Sequence, residues 1–145
     1  MPVKPIPDGH HAVTPYLMVK GAETFIAFMS VVFGAKVTEQ LLQPDGSIGH
    51  TELRIGDSAI MLSEASNGRG ATPAMLHIYV EDVDAAFDRA VKAGASIVSA
   101  PADQFYGDRS GGVIEPSGNT LWIATHVEDV APAELERRAK ARNKA

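Results

Sequence analysis

The chain has 145 residues, with 13 Lys and Arg against 18 Asp and Glu, for a net charge of −5. Hydrophobic residues make up 45% and charged residues 21%, the composition of a domain that buries its own core rather than of a disordered tail. The acidic balance disfavours nucleic acid and anionic membrane surfaces as partners, and the absence of cysteine excludes disulfides, thiolate metal sites and a cysteine nucleophile.

The first segment, Met1 to Gly9, is Pro-rich and unlike a signal peptide, and no apolar run approaches the ~18 residues of a membrane span. The expected setting is therefore cytoplasmic. His10 and His11 fall in this leader and are expected to be exposed. Val13 to Val19 predicts a strand, in which Pro15 favours an early or edge position. From Ala22 to Phe33 the period changes: Ala22, Phe25, Ile26, Phe28, Met29, Val32 and Phe33 recur at helical spacing, and Gly34 suits the left-handed residue that ends a helix. Val37 to Leu42 and Ile48 to Ile55 predict strands around the turn Pro44-Asp45-Gly46. Gly56-Asp57 then turns the chain into a strand over Ser58 to Ser63.

Residues 65–73 hold Ser66, Asn67, Gly68, Gly70 and Pro73 and predict a linker. The order of elements then repeats. Met75 to Val80 predicts a strand, and Val83 to Ala93 a helix with Asp82 as N-cap and Gly94 as its stop. Ser96 to Ser99, Gly112 to Glu115 and Thr120 to His126 predict strands. The stop Gly34-Ala35 recurs at Gly94-Ala95, and the turn and strand from Gly56 recur from Ser117, so two β-α-β-β-β modules follow one another at a nearly constant offset. One α+β domain over residues 1–145 is expected, with module 1 at 12–64 and module 2 at 74–128. The tail, Pro132 to Ala145, is helical by propensity, with acid near its start and base near its end; the helix is expected over 132–143.

Paired modules of this size, the stretch Val80-Glu81-Asp82-Val83-Asp84-Ala85-Ala86-Phe87, and the segments Tyr106 to Gly112 and Gly118 to His126 resemble the vicinal oxygen chelate superfamily. That superfamily includes glyoxalase, bleomycin- and fosfomycin-resistance proteins and extradiol dioxygenases, and the closest similarity is to its PhnB-like branch. The resemblance spans Ala12 to Glu128. It implies a cupped mixed sheet with helices outside, ligands in the cup, and homodimers, in some of which modules are exchanged between chains. It also implies, for the enzymes, a divalent metal held by His and Glu from the first and last strand of each module. Carried onto this sequence, those four positions are Thr14, Met61, Met75 and Trp122. A hard or borderline divalent ion seeks imidazole or carboxylate, which none of them supplies. No metal and no other cofactor is expected.

Strand alternation identifies the side chains that face the cup. Leu17, Val19, Ile60, Leu62, Leu76, Ile78, Val80, Leu121 and Ile123 are expected under the helices. That leaves Thr14, Tyr16, Met18, Met61, Met75, His77, Tyr79 and Trp122 facing the cup, joined by His50 and Glu52. His50, Glu52 and His77 admit three readings: a facial metal site of two imidazoles and a carboxylate, a polar patch that orients a ligand, or a His50 that merely lies near a solvated strand end. Asp108 and Arg109 either pair with each other to fix a loop or leave Arg109 free to hold a ligand anion. His126 is as compatible with a structural role as with a functional one.

Two functions follow. The first is binding of a small amphipathic or aromatic molecule in a metal-free cup, of which a resistance or sequestration role is one form, with aromatic and thioether side chains providing area and Thr14, His50, Glu52, His77 and Arg109 providing polarity. The second is a lyase-, isomerase- or dioxygenase-like enzyme in which Glu52, His50 and His77 are the candidate catalytic residues, with or without a divalent metal. The expected partners are a small-molecule ligand and a second copy of the chain, with no nucleic acid and no membrane.

Overall fold

Alternating strands and two amphipathic stripes resolve, in a computed structural model that describes residues 2–66 and 68–143, into two consecutive β-α-β-β-β modules and a terminal helix. The elements are β1 (Tyr16–Val19), α1 (Ala22–Phe33), β2 (Lys36–Leu42), β3 (Ile48–Ile55), β4 (Ser58–Glu64), β5 (Met75–Tyr79), α2 (Val83–Lys92), β6 (Ser96–Asp103), β7 (Asp108–Ile114), β8 (Thr120–His126) and α3 (Pro132–Asn143). Each module forms a four-stranded mixed sheet, in the orders β1-β4-β3-β2 and β5-β8-β7-β6. The first and last strands pair in parallel and the others antiparallel. The fold is α+β, as expected. Asn67 of the linker, Lys144 and Ala145 of the tail, and Met1 of the leader lie outside the described residues.

Each helix begins where its module's last strand ends. The N-terminus of α1 has no side-chain cap of its own. Instead Glu64, at the end of β4, accepts the Gly21 and Ala22 N–H groups at 2.8 and 3.2 Å, so a carboxylate meets both the orphan donors and the positive end of the helix. Gly34 closes α1 in the left-handed region at φ 67°. In module 2, Asp82 caps α2 by accepting the Ala85 N–H. Thr125 of β8 accepts the Val83 N–H at 2.9 Å.

Helices cover one face of each sheet. Leu17, Val19, Leu53, Ile60 and Leu62 lie beneath α1, and Val113, Leu121 and Ile123 lie beneath α2, with Phe25, Met29 and Ala86 in one continuous core. The modules meet through their helices: the Arg89 guanidinium of α2 donates twice to the Val32 carbonyl of α1, at 3.1 and 3.0 Å, satisfying an oxygen left over at a helix end. The α3 helix buries no residue. It is held by charge, with Arg138 donating to Glu128, Glu134 and the Phe105 carbonyl.

Several element boundaries differ from expectation. β1 begins at Tyr16 rather than Val13, although the Pro15 carbonyl already accepts the Met61 N–H; proline has no N–H with which to continue a ladder. β6 runs on to Asp103 and β7 begins at Asp108. β6 is an edge strand with two register irregularities, which is where a sheet tolerates Pro101. α2 stops one residue short of Ala93.

Back-to-back glycines thin the second sheet in β7. A Cβ on Gly111 would stand 2.9 Å from the Phe87 ring of α2, and a Cβ on Gly112 would stand 2.8 Å from the Trp122 indole on the opposite face. Adding that methyl overpacks a filled site. Gly111→Ala is expected to lower unfolding free energy by about 1–3 kcal/mol, read from urea denaturation against wild type.

Candidate functional site

The faces turned away from the helices hold most of the side chains expected to form a site. On the first sheet, strand pairing sets Tyr16 beside Met61, Met61 beside Glu52, and Glu52 beside Glu39. The Tyr16 hydroxyl lies 2.5 Å from Ser63 Oγ and 3.2 Å from His50 Nδ1, and the two rings tilt together at 5.7 Å. His50 Nε2 points toward Glu39 at 3.9 Å. Tyr16 is 45% exposed, so its phenol stays within reach of solvent. Glu52 differs: it is 6% exposed, and His10 of the leader lies over it, Nε2 to Oε1 at 3.0 Å. That contact is close but poorly aligned for a hydrogen bond. His10 therefore corrects the expectation of an exposed leader histidine.

On the second sheet, His77 pairs with Trp122, and Tyr79 with Ala124. Met75 is 67% and Tyr79 62% exposed. The His77 and Tyr79 rings meet edge to face at 5.0 Å. The Tyr79 hydroxyl donates to Asp108 Oδ2 at 2.8 Å. Asp108 Oδ1 lies 2.8 Å from His126 Nδ1, and His126 Nε2 lies 2.7 Å from Asp129 Oδ1. A ring with a carboxylate at each nitrogen is satisfied as the imidazolium, which has two N–H donors. The two carboxylates, Asp129 first and then Asp108, raise the His126 pKa above its ordinary value. Burial pushes the Asp108 carboxyl up, but hydrogen bonds from His126 and Tyr79 outweigh it and hold the value below the usual carboxylate range. The same bond to Asp108 raises the Tyr79 phenol.

Asp108 and Arg109 do not pair. They occupy opposite faces of β7, and Arg109 points toward α2, where it donates to both oxygens of Asp84 at 2.9 and 3.0 Å and to Asp103 at 3.3 Å. Its hydrogen bonds hold the Asp84 carboxyl below its ordinary value. The Asp108–His126 pair was missed because β7 was expected to start at Gly112. Counting back equally from the turn at Ser117 sets Asp108 opposite His126, which is the signal that would have found it.

His50, Glu52 and His77 are not one cluster: the first two belong to the first sheet and His77 to the second. Among the described residues no three His, Asp or Glu side chains converge to hold a metal ion. Thr14, Met61, Met75 and Trp122 do not fit the divalent ion that the superfamily's enzymes carry, since they offer a hydroxyl, two thioethers and an indole. Thr14 precedes β1 and lines a cleft of about 950 Å³ between the modules. Val32, Phe33, Ile60 and Leu76 line its apolar part, and His77, Tyr79, Arg89 and His126 also border it. No helix among the described residues is long and apolar enough to cross a membrane.

The profile of the Glyoxalase/Bleomycin resistance protein/Dioxygenase superfamily matches residues 9–123. The chain belongs to this superfamily. An uncharacterized protein of Mycobacterium bovis is 35% identical over 136 residues, covering 86% of this chain and 90% of its own length. Among solved structures, TioX from Micromonospora sp. ML1 is similar at TM-score 0.65 and 24% identity, covering 83% of this chain and 100% of TioX. A PhnB protein from Bacillus cereus, described as a putative 3-demethylubiquinone-9 3-methyltransferase, is similar at TM-score 0.62 and 14% identity, covering 79% and 99%. These two likenesses show the superfamily's fold.

The raised His126 value sets a pH dependence. A histidine whose folded pKa exceeds its unfolded one stabilises fully below the unfolded value and loses that contribution as pH rises through the folded one. The stability difference between wild type and His126→Gln is therefore expected to be larger at about pH 5.5 than at about pH 8.5, measured by denaturant titration at each pH.

Proposed function

We propose that the chain binds a small amphipathic or aromatic molecule on its open sheet faces, and that two copies pair so that these faces close into a shared cup. The observation that carries this reading is the set of large apolar side chains left uncovered there, Tyr16, Met75 and Tyr79, beside a hydrogen-bonding group formed by Tyr16, His50 and Ser63. Aromatic rings and thioethers provide adaptable contact area, and a few polar atoms set orientation. Superfamily membership supports the same reading, and sequestration of a harmful compound is the role it suggests. The cup in this proposal works without a metal, given the donors at Thr14, Met61, Met75 and Trp122. The leucines and isoleucine exposed on the edge strands, Leu41, Leu42 and Ile97, favour a second copy as partner, since exposed apolar surface of this kind marks association sites.

A second reading, proton transfer on a bound substrate, is favoured by the Tyr16 hydroxyl between His50 and Ser63. In it the phenol is the acid or base and His50 its partner. This replaces the trio of His50, Glu52 and His77, because His77 stands on the other sheet and Glu52 lies beneath His10.

Trp122 is the chain's only tryptophan and lies on the second open face. Its emission is expected to change on titration with planar aromatic compounds, and no response to any of them would refute the binding reading. Tyr16→Phe is expected to weaken a responding compound by about 2- to 10-fold, the worth of one hydrogen bond. Loss of turnover much beyond that loss of affinity would favour the second reading. Sedimentation equilibrium is expected to give twice the chain mass of 15.4 kDa.

A further inference from the structure

The leader before β1 has little that could anchor it by burial: Val3 and Val13 are almost fully exposed. It nonetheless returns to the first sheet. The stretch from Pro7 to His10 makes a turn closed by the His10 N–H donating to the Pro7 carbonyl at 3.1 Å, with Gly9 in the left-handed region at φ 79°. Gly9 lies against the Arg54 guanidinium so closely that a Cβ there would stand 2.5 Å from both terminal nitrogens. The next residue, His10, covers Glu52, and its side chain is 12% exposed. Glu52 is the one buried charged group in the first module among the described residues.

We propose that residues 7–10 form a strap over Glu52, and that this strap must lift before any solute reaches the carboxylate, so that the leader controls access to the first module's share of the cup. The way the strap is held suits it to lifting. Its polar contact with the sheet, His10 to Glu52, is misaligned, its turn is closed by one main-chain bond, and the ion pair Lys4–Asp8 is solvent-exposed and adds little. Arg54 lies 3.9 Å from Glu52, so a compensating positive charge stays beside the carboxylate when His10 leaves. The proposal gives meaning to a pocket only if the open faces bind ligand, but the strap itself is testable without one.

The test labels carboxylates in the full-length chain with a water-soluble carbodiimide and glycinamide, and reads each site by peptide mass spectrometry. In wild type, Glu52 is expected to react far more slowly than Glu39, its exposed neighbour on β2. Two variants release the strap by different routes. Gly9→Ala strains a left-handed residue and drives a methyl into Arg54; His10→Ala removes the cover. In both, Glu52 labelling is expected to rise by about five-fold or more, as local opening without global unfolding allows, while Glu39 stays constant. Glu115, a carboxylate buried in the second module, reports unfolding and is also expected to stay constant. Equal labelling of Glu52 and Glu39 in wild type, no rise at Glu52 in either variant, or a rise matched at Glu115 would each overturn the strap. Failure of every compound to alter Trp122 emission would refute ligand binding and leave this result standing.

Discussion

One helix covers one face of one sheet, and this chain has two packing helices for two sheets. Burial of the α1 and α2 stripes therefore consumes Leu17, Leu53, Leu62, Leu121 and their neighbours and leaves two sheet faces without a layer. α3 does not supply one, since it buries no residue. The Arg89 bridge to the Val32 carbonyl fixes the modules helix to helix. The open faces inherit their character from that arrangement: side chains there are free of the demand to be apolar, so tyrosine, histidine, serine and carboxylate groups occur among the methionines.

The two open faces have diverged although the modules repeat. The first carries a chain of hydroxyls and imidazole through Ser63, Tyr16 and His50. The second carries charged groups, with the His126 ring held between the Asp108 and Asp129 carboxylates and a phenol donating to the same Asp108. With both ring nitrogens hydrogen-bonded to carboxylates, His126 has no nitrogen free to engage a substrate. His50, with Glu39 only at 3.9 Å, is less committed. The proton-transfer reading proposed above therefore uses the first face, and the binding reading draws on His77, Tyr79, Met75 and Trp122 of the second.

Local patterns were legible in the sequence where they repeat over several residues. The α1 stripe and its glycine stop gave both ends of that helix, and alternation in β1, β4, β5 and β8 separated covered from open side chains. β6 and β7 reach beyond the predicted strands because Ser, Ala, Pro and Gly there carry no alternation, and because an edge strand with bulges obeys it least. Contacts distant in sequence left no local trace: His10 on Glu52, Tyr79 on Asp108, and Arg109 on Asp84 each join residues that no period relates. Of the residues expected to contact ligand, Thr14 lies ahead of its strand in the cleft between the modules and Arg109 faces the helix. The others in β1, β3, β4, β5 and β8 lie on the faces away from the helices, where His10 covers Glu52.

Gly111 and Gly112 give the second sheet a place where its two sides are separated by backbone alone. Phe87 presses on one surface of that backbone and the indole of Trp122 rests on the other. Motion of α2 therefore has a short mechanical route to the indole, with no intervening side chain to absorb it. A spectroscopic signal from that ring reports the seating of the outer helix as well as events on its own side.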